Sequence, residues 1–120
     1  MSKKTVVIGA SDNPERYAYK ATIALQDSGH EVIPVGIKDG EINGLKIIKG
    51  KPIIADVDTV TLYVGPKNQA EWFEYILSLK PKRVVFNPGT ENPEFETLLQ
   101  KNNIETEEAC TLVMLSIGNY

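Results

Sequence analysis

The strongest constraint on this chain is the way its first apolar run ends. Lys4-Thr5-Val6-Val7-Ile8 is β-branched and continuous, and it stops at Gly9-Ala10-Ser11. Asp12-Asn13-Pro14-Glu15 then opens a helix-like segment. A buried strand, a turn of small residues and a capped helix, in that order, make a pocket for phosphate. Small residues let backbone N–H groups approach an anion, and the helix N-terminus adds partial positive charge.

The rest of the chain repeats the alternation. Residues 4–9 read as a strand and 14–28 as a helix, with Asn13 as cap, Pro14 at the first helical position and Gly29 as stop. Ala18, Ala21, Thr22 and Leu25 share one helical face. Glu31-Val32-Ile33-Pro34-Val35 reads as a second strand, its proline marking a strand end or an open pairing edge. Residues 39–50 are irregular, with room for a small extra strand over Leu45-Lys46-Ile47-Ile48. The third main strand is Thr59–Val64, and a helix follows from about Asn68, where Asn68 and Glu71 have capping-box spacing. Trp72, Phe73, Ile76 and Leu77 form its apolar stripe. Arg83–Asn87 is the fourth strand, and Asn92-Pro93-Glu94 repeats the earlier cap device before Phe95, Leu98 and Leu99. A short strand near 103–108 and a helix from about Cys110 to Ile117 complete the pattern.

This order predicts an α/β, Rossmann-like three-layer sandwich: a five-stranded, mainly parallel sheet with helices on both faces. At 120 residues it fits a single domain over 1–120 that needs no disulfide or metal staple. The net charge of -3 argues against a general nucleic-acid or anionic-membrane surface. One cysteine, Cys110, fits a reducing cytoplasm. The chain shows no apolar stretch of the length a membrane span or signal core needs.

In parallel sheets the ligand crevice lies beyond the carboxyl ends of the strands, at the topological switch point. That rule nominates the loops Gly9–Tyr17, Gly36–Lys38, Gly65–Asn68 and Pro88–Asn92, including Pro88 and Gly89 themselves. The full G-x-G-x-x-G fingerprint is absent, and the second strand exits through Val35-Gly36-Ile37-Lys38 with no acidic residue to grip a ribose diol. Lys38 and Arg16 instead favour an adenosine ligand with an extra ribose phosphate, and both coenzyme A and NADP meet that description. The same two residues also read as solvated surface charges.

Catalytic constellations are thin. His30 precedes the second strand, at the edge opposite the expected crevice, so it makes no triad with Ser11. Cys110 reads as a packed small hydrophobe, and Glu105, Glu107 and Glu108 as a solvated strand face. No spacing suits a metal. A phosphoacceptor receiver domain needs acidic residues where Gly9 and Val64 stand.

Val7-Ile8-Gly9-Ala10-Ser11-Asp12-Asn13-Pro14-Glu15-Arg16 resembles the opening of small coenzyme A-binding proteins, which read V-G-A-S-x-N-P-x-R. Gly29-His30-Glu31-Val32-Ile33-Pro34-Val35 matches the family's G-[YH]-x-V-[IY]-P-V, with weaker echoes at Ile42-Asn43-Gly44, Asp58-Thr59-Val60 and Pro88-Gly89. The family is similar to the nucleotide-binding domain of the succinyl-CoA synthetase alpha subunit. The resemblance implies that Gly9, Ala10, Ser11 and Asn13 hold a pyrophosphate, that Arg16 and Lys38 hold phosphate charge, and that Val64, Gly65 and Pro66 line an adenine slot. The chain departs from the family at Val35-Gly36-Ile37, where V-N-P is usual. It departs again after Cys110, where Thr111-Leu112-Val113-Met114-Leu115 replaces a basic, histidine-containing helix. The expectation is a non-catalytic module that binds coenzyme A or an acyl-CoA as sensor or carrier, alone, as a homo-oligomer or with a protein partner. The alternatives are an NADP-linked oxidoreductase and a ligand-free interaction module.

Overall fold

The computed structural model describes residues 2–120. Its elements follow the chain as β1 (Thr5–Ile8), α1 (Tyr17–Asp27), β2 (Val32–Gly36), β3 (Glu41–Ile42), β4 (Leu45–Lys46), β5 (Ile48–Lys49), β6 (Thr59–Leu62), α2 (Pro66–Gln69), α3 (Phe73–Leu79), β7 (Arg83–Phe86), α4 (Pro93–Lys101), β8 (Glu105–Glu108) and α5 (Thr111–Ile117). A 3-10 turn, Ala70–Trp72, joins α2 to α3. No helix among the described residues is long and apolar enough to cross a membrane.

The main sheet has the order β5-β2-β1-β6-β7-β8, and every pairing in it is parallel. It therefore has six strands rather than the expected five. The extra one is β5, a two-residue strand beside Val35 and Gly36. The segment expected to give one small strand splits. Leu45 and Lys46 pair back on Glu41 and Ile42 as a hairpin, and Ile48 and Lys49 join the sheet. Pro34 fits because β5 pairs only beyond it, so its missing N–H costs no ladder hydrogen bond.

Alternation along the strands builds two cores. Val6, Ile8, Val60, Leu62, Val84 and Phe86 pack with Trp72, Tyr75, Ile76, Phe95 and Leu99 from the α2–α4 side. Val7 and Val32 pack with Ala18 and Leu25 of α1, joined by Leu115 and Tyr120. Helices thus cover both faces, and the inner strands β1, β6 and β7 are buried along their whole length.

Two helix starts differ from the sequence reading. Helix α1 begins at Tyr17, not Pro14. The Asn13 side chain accepts from Glu15 N at 3.0 Å, Arg16 N donates to Asn13 O at 3.0 Å, and Arg16 stays extended. Asn13-Pro14-Glu15-Arg16 is a turn, because the asparagine bonds two residues ahead instead of three. At Asn92-Pro93-Glu94 the asparagine reaches Phe95 N at 3.2 Å, and the helix starts as expected. The second helix begins at Pro66 with Gly65 as its cap, so Asn68 lies inside it and forms no capping box. Proline's fixed φ and absent donor suit that first position.

Candidate nucleotide cleft

Strand order reverses between β1 and β6, and their exits frame an open cleft of about 930 Å³. Gly9 makes the first wall. Its φ is +94°, and a Cβ there would lie 2.8 Å from Tyr63 O. Gly36 makes the second, since a Cβ would lie 2.6 Å from Ala10 O. Both contacts are with backbone, so only glycine lets the three strand exits close this tightly.

The free donors are not the ones the first motif suggests. Gly9 N and Ala10 N both donate to Val35 O at 3.0 Å. Asn13 N donates to Ser11 Oγ at 3.1 Å, and Glu15 N and Arg16 N are held within the turn. What points outward is the head of α1. Its cap, Arg16, contributes no side-chain acceptor, and the first turn holds no acidic residue. The leading N–H groups of Tyr17, Ala18 and Tyr19 have no intrahelical partner. Tyr17 and Ala18 line the cleft.

Of the residues nominated from sequence, Gly9, Ala10, Ser11, Arg16, Gly36, Lys38, Val64 and Gly65 line this cleft together. Asn13, Pro66, Pro88 and Gly89 do not. Asn13 is spent on its own turn, Pro66 starts α2 on the surface, and Gly89 N is bonded to Glu91 Oε1 at 2.8 Å in a separate turn. Asp12, Glu15 and Ile37, within the nominated loops, line it too, while Ile47, Tyr63, Trp72, Asp39 and Glu71 lie outside those loops and were missed. Ile37, Ile47, Tyr63 and Trp72 add apolar surface, and Asp12, Glu15, Asp39 and Glu71 add carboxylates.

Charge in the cleft is therefore mixed. Asp39 is answered by Lys49 at 3.3 Å. Among the described residues Arg16 and Lys38 form no ion pair, and both are exposed. Two unengaged cations beside an open helix head are the features that can take an anion.

A buried polar frame holds the loops behind the cleft. Gln69, fully buried, donates to Val64 O at 2.8 Å and Thr90 O at 2.6 Å, and accepts from Asn92 at 3.0 Å. Asn87 donates to Thr61 Oγ1 at 2.7 Å and Leu62 O at 3.0 Å, and accepts from Thr111 N at 2.9 Å. The exits of β6 and β7 and the start of α5 are thus fixed to each other. Tyr63 lies against this frame, and burial pushes its phenol up to about 12. It stays neutral and donates no charge to the cleft. Cys110 caps α5, half-buried, and does not line the cleft.

Residues 3–116 match the family described as CoA binding domain. The chain belongs to that family. It is 56% identical to a solved but uncharacterized protein, with TM-score 0.98 over 100% of this chain and 99% of the other. A hypothetical protein from Pyrococcus horikoshii OT3 is 28% identical, with TM-score 0.86 over 97% and 83% of the two chains. The uncharacterized protein YneT of Bacillus subtilis is 36% identical over 63 residues, 52% of this chain and 47% of that one. The match therefore spans about half the length of this curated relative. Aspartate semialdehyde dehydrogenase II of Vibrio cholerae shares the fold at 14% identity and TM-score 0.54. The CoA binding domain occupies nearly the whole of this chain, and its cleft lies where a doubly wound sheet binds its ligand.

Proposed function

We propose that this protein binds coenzyme A or an acyl-CoA through its ADP and 3′-phosphate portion, without catalysis of its own, as a sensor or carrier. The observation that carries the reading is the uncapped head of α1, opening into the cleft between two cations without ion-pair partners, Arg16 and Lys38. The pyrophosphate lies against the first turn of α1 and the Ser11–Asp12 loop. Arg16 and Lys38 meet the ribose phosphate. Val64, Gly65 and Ile37 flank the adenine.

Calorimetry with coenzyme A and its dephospho form tests this. A charge-assisted contact contributes about 1.5–3 kcal/mol. Coenzyme A should therefore bind at least about tenfold tighter. Equal affinities would remove the ribose-phosphate role, and no binding by either would end the reading. Trp72, the one tryptophan in the chain, lines the cleft and gives a fluorescence readout of the same titration. Added NADPH should leave that signal unchanged; a saturating response to NADPH would favour the dehydrogenase-type alternative. Arg16→Ala should weaken binding about tenfold or more and leave the melting temperature of the free protein nearly unchanged.

A further inference from the structure

The edge of the sheet opposite the cleft is closed by one side chain, Tyr120. Gly118, at φ +77°, ends α5 in the left-handed region and turns the chain back. Asn119 N then donates to Met114 O at 2.9 Å, a helix-terminating bond that points the next residue at the sheet. The Tyr120 hydroxyl meets Thr5 Oγ1 on β1 at 2.6 Å, and the Lys3 ammonium donates to Tyr120 O.

Beneath the ring lies Arg83. Its residue exposure is 6%, and its guanidinium sits 4.6 Å from the Tyr120 ring centroid. Nε donates to Thr59 Oγ1 at 3.1 Å and one terminal nitrogen to Glu107 at 3.2 Å. The other terminal nitrogen is buried with no partner among the described residues. Tyr120 therefore keeps water from a guanidinium that is only partly satisfied, which makes the seat of this ring sensitive to added charge.

His30 also stands against the ring, with 5.0 Å between centroids. Its Nδ1 accepts from Lys3 N at 2.9 Å, so the bonded form is the neutral ring with its proton on Nε2. The groups that face it are Lys3 and Arg83, both cationic, with Asp58 as the opposing carboxylate and Tyr120 as a phenol held protonated by burial.

We propose that Tyr120 and His30 form a clasp released by protonation: a charged His30 no longer accepts from Lys3 N, adds a cation beside Lys3 and Arg83, and frees the residues after α5 from the sheet. Release loosens α5, whose far end carries Thr111 and the Asn87 frame behind the cleft. Partial burial, then the nearby positive charge of Lys3 and Arg83, holds His30 below its ordinary value of 6.5 in the folded state. The sign follows. The unfolded chain takes the proton first, so the clasp contributes fully above about 6.5 and is lost as pH falls through the lower folded value.

His30 is the sole histidine, so its NMR titration is unambiguous in the intact, ligand-free protein. Its midpoint should fall below 6.5, and the Tyr120 ring signals and α5 amide signals should shift with the same midpoint. Tyr120→Ala should move the His30 midpoint up towards 6.5. In His30→Gln, which keeps a neutral acceptor, the Tyr120 and α5 signals should no longer respond between pH 7.5 and 5.5. Tyr120 signals that ignore the His30 midpoint, or that respond equally in His30→Gln, would overturn the clasp. The glutamine variant decides the matter even where the alanine variant does not fold. No readout involves coenzyme A, so the outcome is separate from that of the binding experiment.

Discussion

Val60 and Leu62 face α2–α4, while Thr59 and Thr61, alternating along the same strand, face the α1–α5 side. The contrast extends across the sheet. One face presents Val6, Ile8, Val84 and Phe86 to a dry core. The other presents Thr5, Arg83 and Asn87, all buried and all hydrogen-bonded. Apolar packing is non-directional, so the dry face supplies burial without fixing any one group. Each bond on the polar face needs its partner at one distance and angle, so that face fixes the exits of β6 and β7 relative to α5. The cleft is framed by the strand exits that this second face aligns.

The largest effect should come from the dry face. Phe86→Ala removes a fully buried ring that contacts Phe95 edge-on, and should cost about 3–5 kcal/mol in denaturant unfolding. A loss under about 1 kcal/mol would mean that this core collapses around the gap. Asn87→Ala should cost about 1–3 kcal/mol, because it strands the Thr111 amide and a shared hydroxyl pair. Its distinguishing mark is faster amide exchange across α5 with the dry-face strands unchanged. Uniform acceleration of exchange would erase the distinction between the faces. Thr61→Val keeps the shape and removes one hydroxyl, so the expected loss is about 1 kcal/mol.

The smallest expected change lies at the β8 edge. Burial, then the hydrogen bond and charge of Glu108, push the Glu96 carboxyl up to about 7. The folded protein therefore holds a proton that the unfolded chain has already released, and this carboxyl loses stability as pH rises from about 4.5 to about 7. Glu96→Gln should raise the melting temperature at pH 8 and leave it unchanged at pH 4. A gain at both values would show that charge at this edge is not the cause. His30, just before β2, acts in the opposite sense.

Much of the frame was legible in the residues. Runs rich in β-branched residues marked the inner strands, which are buried on both faces. Helical faces such as Ala18, Ala21, Thr22 and Leu25 are buried as their spacing indicates. Three things were less visible. Asn13-Pro14-Glu15 and Asn92-Pro93-Glu94 look alike, yet one is a turn and the other a helix start; the asparagine side chain bonds two residues ahead in the first and three ahead in the second. The two-residue β5 is too short for any period to register. Gln69, Asn87 and Thr61 read as ordinary polar residues, since nothing local tells that partners lie twenty or more positions away. Glu107 was read as solvated and is instead the half-buried partner of Arg83. In the cleft, the loops were visible from glycine and position, but Glu71, Trp72 and Ile47 come to it from segments that only the fold brings together.

The tight meeting of Gly9 with Tyr63 and of Gly36 with Ala10 has a consequence for how such a protein can change. Its binding walls are main chain pressed on main chain, so those positions tolerate no drift. The residues to which the proposed function gives ligand contacts, at 16, 37 and 38, stand on the exposed rim. If the proposed contacts hold, ligand preference can be rewritten by a few surface replacements while the enclosure is inherited intact.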